Sequence, residues 1–109
     1  MAYDEKLAER IREVLKRRRG VSEKEMFGGL AFLVNGHMAC GVQGDDLMVR
    51  VGPEDYESAL KKTGARPMDF TGRPLKGMVY VGPRGHRRAP SLKAWVERGL
   101  SYVRSLPPK

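Results

Sequence analysis

Residues 26–51 read MFGGLAFLVNGHMACGVQGDDLMVRV, three short apolar runs divided at Asn35-Gly36 and at Gly44-Asp45-Asp46. Asn-Gly between alternating apolar residues is the strongest short-range hairpin signal, because both turn positions need positive φ and these two residues tolerate it. The stretch predicts a three-stranded antiparallel meander over 26–34, 37–43 and 47–51. Side chains alternate along a strand, so Leu47, Val49 and Val51 share one face and Met48 and Arg50 the other. By the same alternation, Met38, Cys40 and Val42 take one face of the second strand, and His37, Ala39, Gly41 and Gln43 take the opposite one. Gly28 and Gly29 at the head of the first strand predict a bulge or a close backbone approach.

Outward from the meander, Asp4 to Arg18 reads as an amphipathic helix with Leu7, Ile11, Val14 and Leu15 on one side. Asp4 suits its N-cap, Lys16 to Arg19 suit its negative end, and Gly20 suits its termination. On the other flank, Gly52-Pro53 opens a second helix with Tyr56, Ala59 and Leu60 buried, closing at Lys61, Lys62 and Gly64. Pro67 to Phe70 reads as an edge strand, Thr71-Gly72-Arg73-Pro74 as a turn, and Gly77 to Gly82 as a further strand. Pro83 to Pro90 reads as a basic loop. Ser91 then caps a final helix with Leu92, Trp95, Val96, Leu100 and Val103 inward, and Leu106 to Lys109 is a tail. The sum is a single α+β domain over residues 1–109, an antiparallel sheet of about five strands with helices packed on it, in the order α-β-β-β-α-β-β-α. With helices on one side only, the sheet face carrying Ala31, Leu33, Ala39 and Gly41 is left partly bare. An apolar patch there suits protein contact or self-association into a homodimer.

Composition excludes several classes. No apolar run approaches the roughly 18 residues that span a bilayer, and MAYDEKLAERI carries acids where a secretory signal needs an apolar run; the expected compartment is the cytoplasm. Cys40 is the sole cysteine, so no internal disulfide forms, and one thiol with two histidines makes a poor metal site. No metal or cofactor is expected. His37 and Cys40, three apart on one strand, point to opposite faces, and no Asp or Asn is placed to orient the imidazole. His37 is expected to face solvent and His86 to sit in the basic loop. Glu54, Asp55 and Glu57 are explained by the helix dipole and Asp45-Asp46 by a turn. No catalytic residue emerges. An enzymatic or small-molecule site around Arg73 and Cys40 requires a concave pocket with convergent polar groups.

The net charge is +8, and residues 84–109 hold seven basic side chains against Glu97 alone. Two clusters stand out: Lys16-Arg17-Arg18-Arg19, and Arg84, Arg87 and Arg88 in the loop before the last helix. With Arg73 in its turn, the residues Arg17, Arg18, Arg84, Arg87 and Arg88 are the candidates for anion or nucleic-acid contact, through phosphate pairing and counterion release.

MFGGLAFLVNGHMACGV, LMVRVGPEDYESAL, ARPMDFTGRPLKGMVYV and the ending SLPPK together resemble the N-terminal domain of the TfoX/Sxy family, in the same order of elements. The full-length relatives are regulators of natural competence that promote transcription of DNA-uptake genes together with the cyclic-AMP receptor protein. The chain ends at Lys109, and their C-terminal helical domain is not expected in it. The resemblance implies an α+β domain and assigns no catalytic residues. It implies a non-enzymatic regulatory or interaction module, acting in transcription through contact with the transcription machinery or a transcription factor. Direct nucleic-acid binding by the basic clusters is the alternative.

Overall fold

In a computed structural model of the protein, whose described residues are 3–26, 28–69 and 74–107, Asn35 and Gly36 both take positive φ, 54° and 86°. They form the tight turn the sequence predicts, and Val34 faces His37 across it. The chain runs α1 (Glu5–Leu15), β1 (Val21–Met26), β2 (Gly29–Val34), β3 (His37–Gln43), β4 (Asp46–Arg50), α2 (Tyr56–Leu60), β5 (Ala65–Asp69), β6 (Pro74–Val81), α3 (Pro83–His86) and α4 (Ala89–Arg104). The strands form one sheet in the order β1-β2-β3-β4-β6-β5, and every neighbouring pair is antiparallel. After β4 the chain passes through α2 to the far edge as β5, then returns as β6 into the space beside β4.

One core joins the helices to one face of this sheet. Leu7, Ile11 and Leu15 of α1, Tyr56 and Ala59 of α2, and Leu92, Trp95, Val96, Leu100 and Val103 of α4 meet Leu30, Phe32, Cys40, Val42, Leu47, Val49, Val79 and Val81 from the strands. The Asp4 carboxylate accepts hydrogen bonds from the backbone N–H of Lys6 (2.9 Å) and Leu7 (3.3 Å), so it caps α1 as expected. Trp95 is buried in the core.

The sheet has six strands, one more than expected. The additional strand, β1, is the polar segment VSEKEM, mostly exposed at the sheet edge. It carries no apolar alternation to announce it, and its charges suit an unpaired edge that must not recruit another strand. Arg12 of α1 fixes it, donating from Nε (2.8 Å) and Nη2 (2.9 Å) to the two carboxylate oxygens of Glu23. This pairing holds the Glu23 carboxyl below its ordinary range. Gly28 lies in the β1–β2 connection, and the expected close approach belongs to Gly29, whose absent Cβ would lie 2.1 Å from the Val42 carbonyl oxygen.

A second correction concerns β3. The register places Phe32 opposite Cys40 but Leu33 opposite Met38, leaving Ala39 as an inserted residue. This bulge inverts the side-chain alternation at that point. Met38 therefore joins Leu33 on the helix-free face, while Ala39 packs in the core and His37 is buried beside Val34. The sequence alternation assigned all three the other way. Elsewhere, α2 begins at Tyr56, with Pro53 to Asp55 forming turns ahead of it. The expected basic loop is largely helical, as α3 and the first turn of α4, and α4 starts at Ala89 without a side-chain cap from Ser91.

Helix α4 crosses β3 at Gly99, where a Cβ would lie 2.4 Å from the Ala39 carbonyl oxygen. Replacement by alanine gains about 1 kcal/mol of helix propensity and loses more, because overpacking against backbone costs ~1–3 kcal/mol. Gly99→Ala is expected to lower the urea midpoint without changing the slope, and Gly99→Val to lower it further. Cys40 is wholly buried and its thiol is pushed up to about 12 by desolvation. Reaction of Cys40 with a disulfide reagent at pH 8 is expected to run at least about 1,000-fold slower than in denaturant, since the thiol is reached only through unfolding.

Candidate interaction surfaces

The groups whose chemistry is most reactive in principle are committed inside the fold. The bulge brings His37 and Cys40 to the same side of the sheet, yet they share no hydrogen bond. His37 Nε2 donates to the Pro107 carbonyl at 2.6 Å, tying the segment after α4 to the start of β3. His86 is buried, where a loop position was expected, and its Nε2 donates to the Asp45 carbonyl at 2.9 Å. Because a carbonyl only accepts, both rings carry their proton on Nε2, and both Nδ1 atoms are buried without a partner among the described residues. His86 thereby pins α3 to the β3–β4 turn. Arg10 of α1 strengthens the same junction, donating from Nη2 to the carbonyls of His86 (2.6 Å) and Arg87 (3.1 Å). No cluster of three or more potential metal ligands occurs among the described residues.

The helix-free face of the sheet has a buried centre. Ala31 opposes Gly41, and Gly41 opposes Met48; all three are buried although they lie outside the helix-side core. Leu33 and Met38, cross-strand partners, are half-buried beside this centre. Of the four residues expected on this face, Ala31, Leu33 and Gly41 are there, and Ala39 is not, because the bulge turns it into the helix-side core. At the other end of the face, the Tyr80 hydroxyl donates to Gln43 at 2.6 Å, the Arg66 guanidinium lies 5.0 Å from the Tyr80 ring centroid, and Arg66 pairs with Asp46.

The cationic candidates divide between separate places. Arg17 and Arg18, with Arg19 just beyond them, line a cleft of about 550 Å³ where the end of α1 meets the Asn35 turn and Arg104 of α4. Arg18 is ion-paired with Glu97 of α4, and Arg104 Nη2 donates to the Arg19 carbonyl at 3.5 Å. Arg84 lines a different cleft, of about 450 Å³, between the segment after α2, α3 and α4. Arg87 and Arg88 are exposed at the α3–α4 junction. Arg73 lies outside the described residues, as do Thr71, Gly72 and Phe70. A third cleft, about 830 Å³, carries mixed charge, with Glu54, Asp55 and Glu97 beside Arg98.

Sequence reasoning passed over Lys61, Lys62, Arg98 and Arg104 as elements of these clefts. Lys61 and Lys62 read as the ordinary end of a helix, and Arg98 and Arg104 only as part of the basic excess of residues 84–109. One local signal was available: Arg98 follows Trp95 by three residues, a spacing that stacks a cation on a ring along a helix. Its guanidinium does lie 5.4 Å from the Trp95 ring centroid.

No helix among the described residues is long and apolar enough to cross a membrane. No curated protein and no solved structure matches the chain. The family model of the TfoX N-terminal domain matches residues 13–102, which span the sheet from β1 to β5 and nearly all of α4. That match covers most of the 109 residues, in agreement with the α+β architecture the motifs imply, and the chain belongs to the TfoX N-terminal domain family.

Proposed function

We propose that the protein is a non-enzymatic regulatory module that acts in transcriptional control by binding a protein of the transcription apparatus through the helix-free face of its sheet. The observation that carries this reading is the pairing of Leu33 with Met38, two partly buried apolar side chains set side by side on a face that no helix covers among the described residues. Such a pair, at the margin of a buried centre of Ala31, Gly41 and Met48, offers apolar side chains of the kind that anchor protein contacts. Family membership supports the regulatory setting. The engagement of both histidines with backbone carbonyls, and the raised thiol of Cys40, support a role through surfaces.

The test uses Leu33→Asp. The tagged wild-type protein is expected to retain RNA polymerase or a DNA-bound regulator from its own cells, identified by mass spectrometry. Leu33→Asp is expected to reduce that recovery about tenfold or more, as loss of an interface anchor does, with an unchanged circular dichroism spectrum and melting temperature. Equal recovery by the two proteins overturns the use of this face.

A second reading is favoured by the cleft of Arg17, Arg18, Arg19 and Arg104, which has no acidic residue in its lining among the described residues. With Arg18 held by Glu97, Arg17, Arg19 and Arg104 remain for phosphates of nucleic acid. Three such contacts predict a fall in duplex-DNA affinity of roughly 40-fold between 50 and 200 mM salt. Fluorescence anisotropy measures it. Arg17→Ala combined with Arg19→Ala is expected to flatten that slope by about two-thirds, and a salt-independent affinity rules the reading out.

A further inference from the structure

We propose that the cleft between the segment after α2, helix α3 and helix α4 is a binding site for a phosphorylated small molecule carrying at least two negative charges. Lys61, Lys62, Arg84 and Arg98 line it, and no acidic residue does among the described residues. None of these four cations forms an ion pair among the described residues, although five ion pairs occur elsewhere in the described structure. Like charges brought together around a concave surface repel one another, and a polyanion between them relieves that repulsion. The hydroxyl-bearing residues Thr63 and Ser91 also line the cleft and add donors of the type that phosphate oxygens accept.

The cleft is a fixed feature of the backbone. Gly64 and Gly85 allow its two walls to meet: a Cβ on Gly64 would lie 2.7 Å from the Gly85 nitrogen, and a Cβ on Gly85 would lie 2.4 Å from the Thr63 carbonyl oxygen. The Gly82 N–H donates to the Gly64 carbonyl at 3.0 Å and closes the same seam. On the opposite wall, the Trp95 ring under the Arg98 guanidinium holds that cation in place before any ligand arrives. The cleft volume, about 450 Å³, falls within the range of small-ligand sites.

Charge and size select the ligand class. Four cations exceed what a single carboxylate needs and match a diphosphate or triphosphate. The Trp95 ring is nearly covered, leaving no open aromatic face on which a base stacks. The site therefore reads the phosphates and is indifferent to what they are attached to.

Trp95 is the only tryptophan of the chain and lines this cleft, so a fluorescence change on ligand addition has a single source at the cleft wall. Inorganic pyrophosphate is expected to change that fluorescence saturably with one site, and ADP is expected to bind by calorimetry within about threefold of the pyrophosphate affinity. Lys62→Ala and Arg84→Ala, both at exposed side chains, are each expected to weaken pyrophosphate about tenfold or more, while Arg19→Ala in the other cleft leaves it unchanged. The proposal is overturned by the absence of saturation below about 10 mM, by equal affinity in the Lys62 and Arg84 variants, or by citrate binding as tightly as pyrophosphate. It is also overturned if duplex DNA produces the Trp95 signal at lower concentration than pyrophosphate, which would make the cleft part of a nucleic-acid surface.

Discussion

Helix α4 lies on β3 with its backbone against the Ala39 carbonyl, and Gly99 is the residue that permits this contact. At that separation any side chain on Gly99 pushes the helix outward. Such a shift would loosen the packing of Leu92, Trp95, Val96, Leu100 and Val103, which supply α4's share of the core. The same seat sets where the polar side of α4 falls. Trp95 and Arg98 form one wall of the phosphate cleft, Glu97 reaches Arg18 beyond α1, and Arg104 closes the cleft of Arg17 and Arg19. Helix propensity is given up at Gly99 by about 1 kcal/mol, which is small beside the apolar area that the five inward side chains remove from water.

The bulge at Ala39 and the seat of α4 are two parts of one arrangement. By adding a residue to β3, the bulge presents Ala39 to the helix layer, where its small side chain and carbonyl leave room for α4 to approach. It also turns His37 inward, where Nε2 captures the Pro107 carbonyl and fastens the segment that follows α4. On the opposite side it turns Met38 outward next to Leu33. One inserted residue thus shapes the core, anchors the end of the last helix and builds the apolar pair on the free face.

Much of this architecture is legible in the sequence. Asn35-Gly36 fixes the central hairpin because the required backbone angles are local properties of those residues. The Asp4 cap and the inward stripe of α4 are equally local. The misread elements depend on contacts between distant residues. No residue type marks Ala39 as an insertion, because a bulge is defined only against a partner strand. β1 is a strand because β2 offers it an edge and Arg12 holds Glu23, while its own sequence is polar between Val21 and Met26 and shows no apolar alternation. The surfaces follow the same rule. The clusters at 16–19 and 84–88 are visible as charge, but the fold separates Arg18 from Arg84 and joins Arg84 to Lys61, Lys62 and Arg98, which no sequence spacing relates.

The distribution of ion pairs gives this charge pattern its meaning. A chain at +8 carries self-repulsion that favours expansion. The described acids that form pairs, Glu9, Glu13, Glu23, Asp46 and Glu97, neutralise Arg12, Lys16, Arg66 and Arg18. Glu23 also ties α1 to β1, and Glu97 ties the segment after α1 to α4, so these charges are used to hold elements together. Lys61, Lys62, Arg84 and Arg98 are not used in that way, although acidic residues on α2 and α4, such as Glu57 and Glu97, lie close in sequence. Folding gains nothing from concentrating four like charges around a concavity, and a stability argument alone would disperse them or interleave acids. A local rule broken without a structural return is characteristic of positions shaped by a ligand or partner. The Gly64–Gly85 seam, which brings their two walls together through backbone contact, keeps those charges converged.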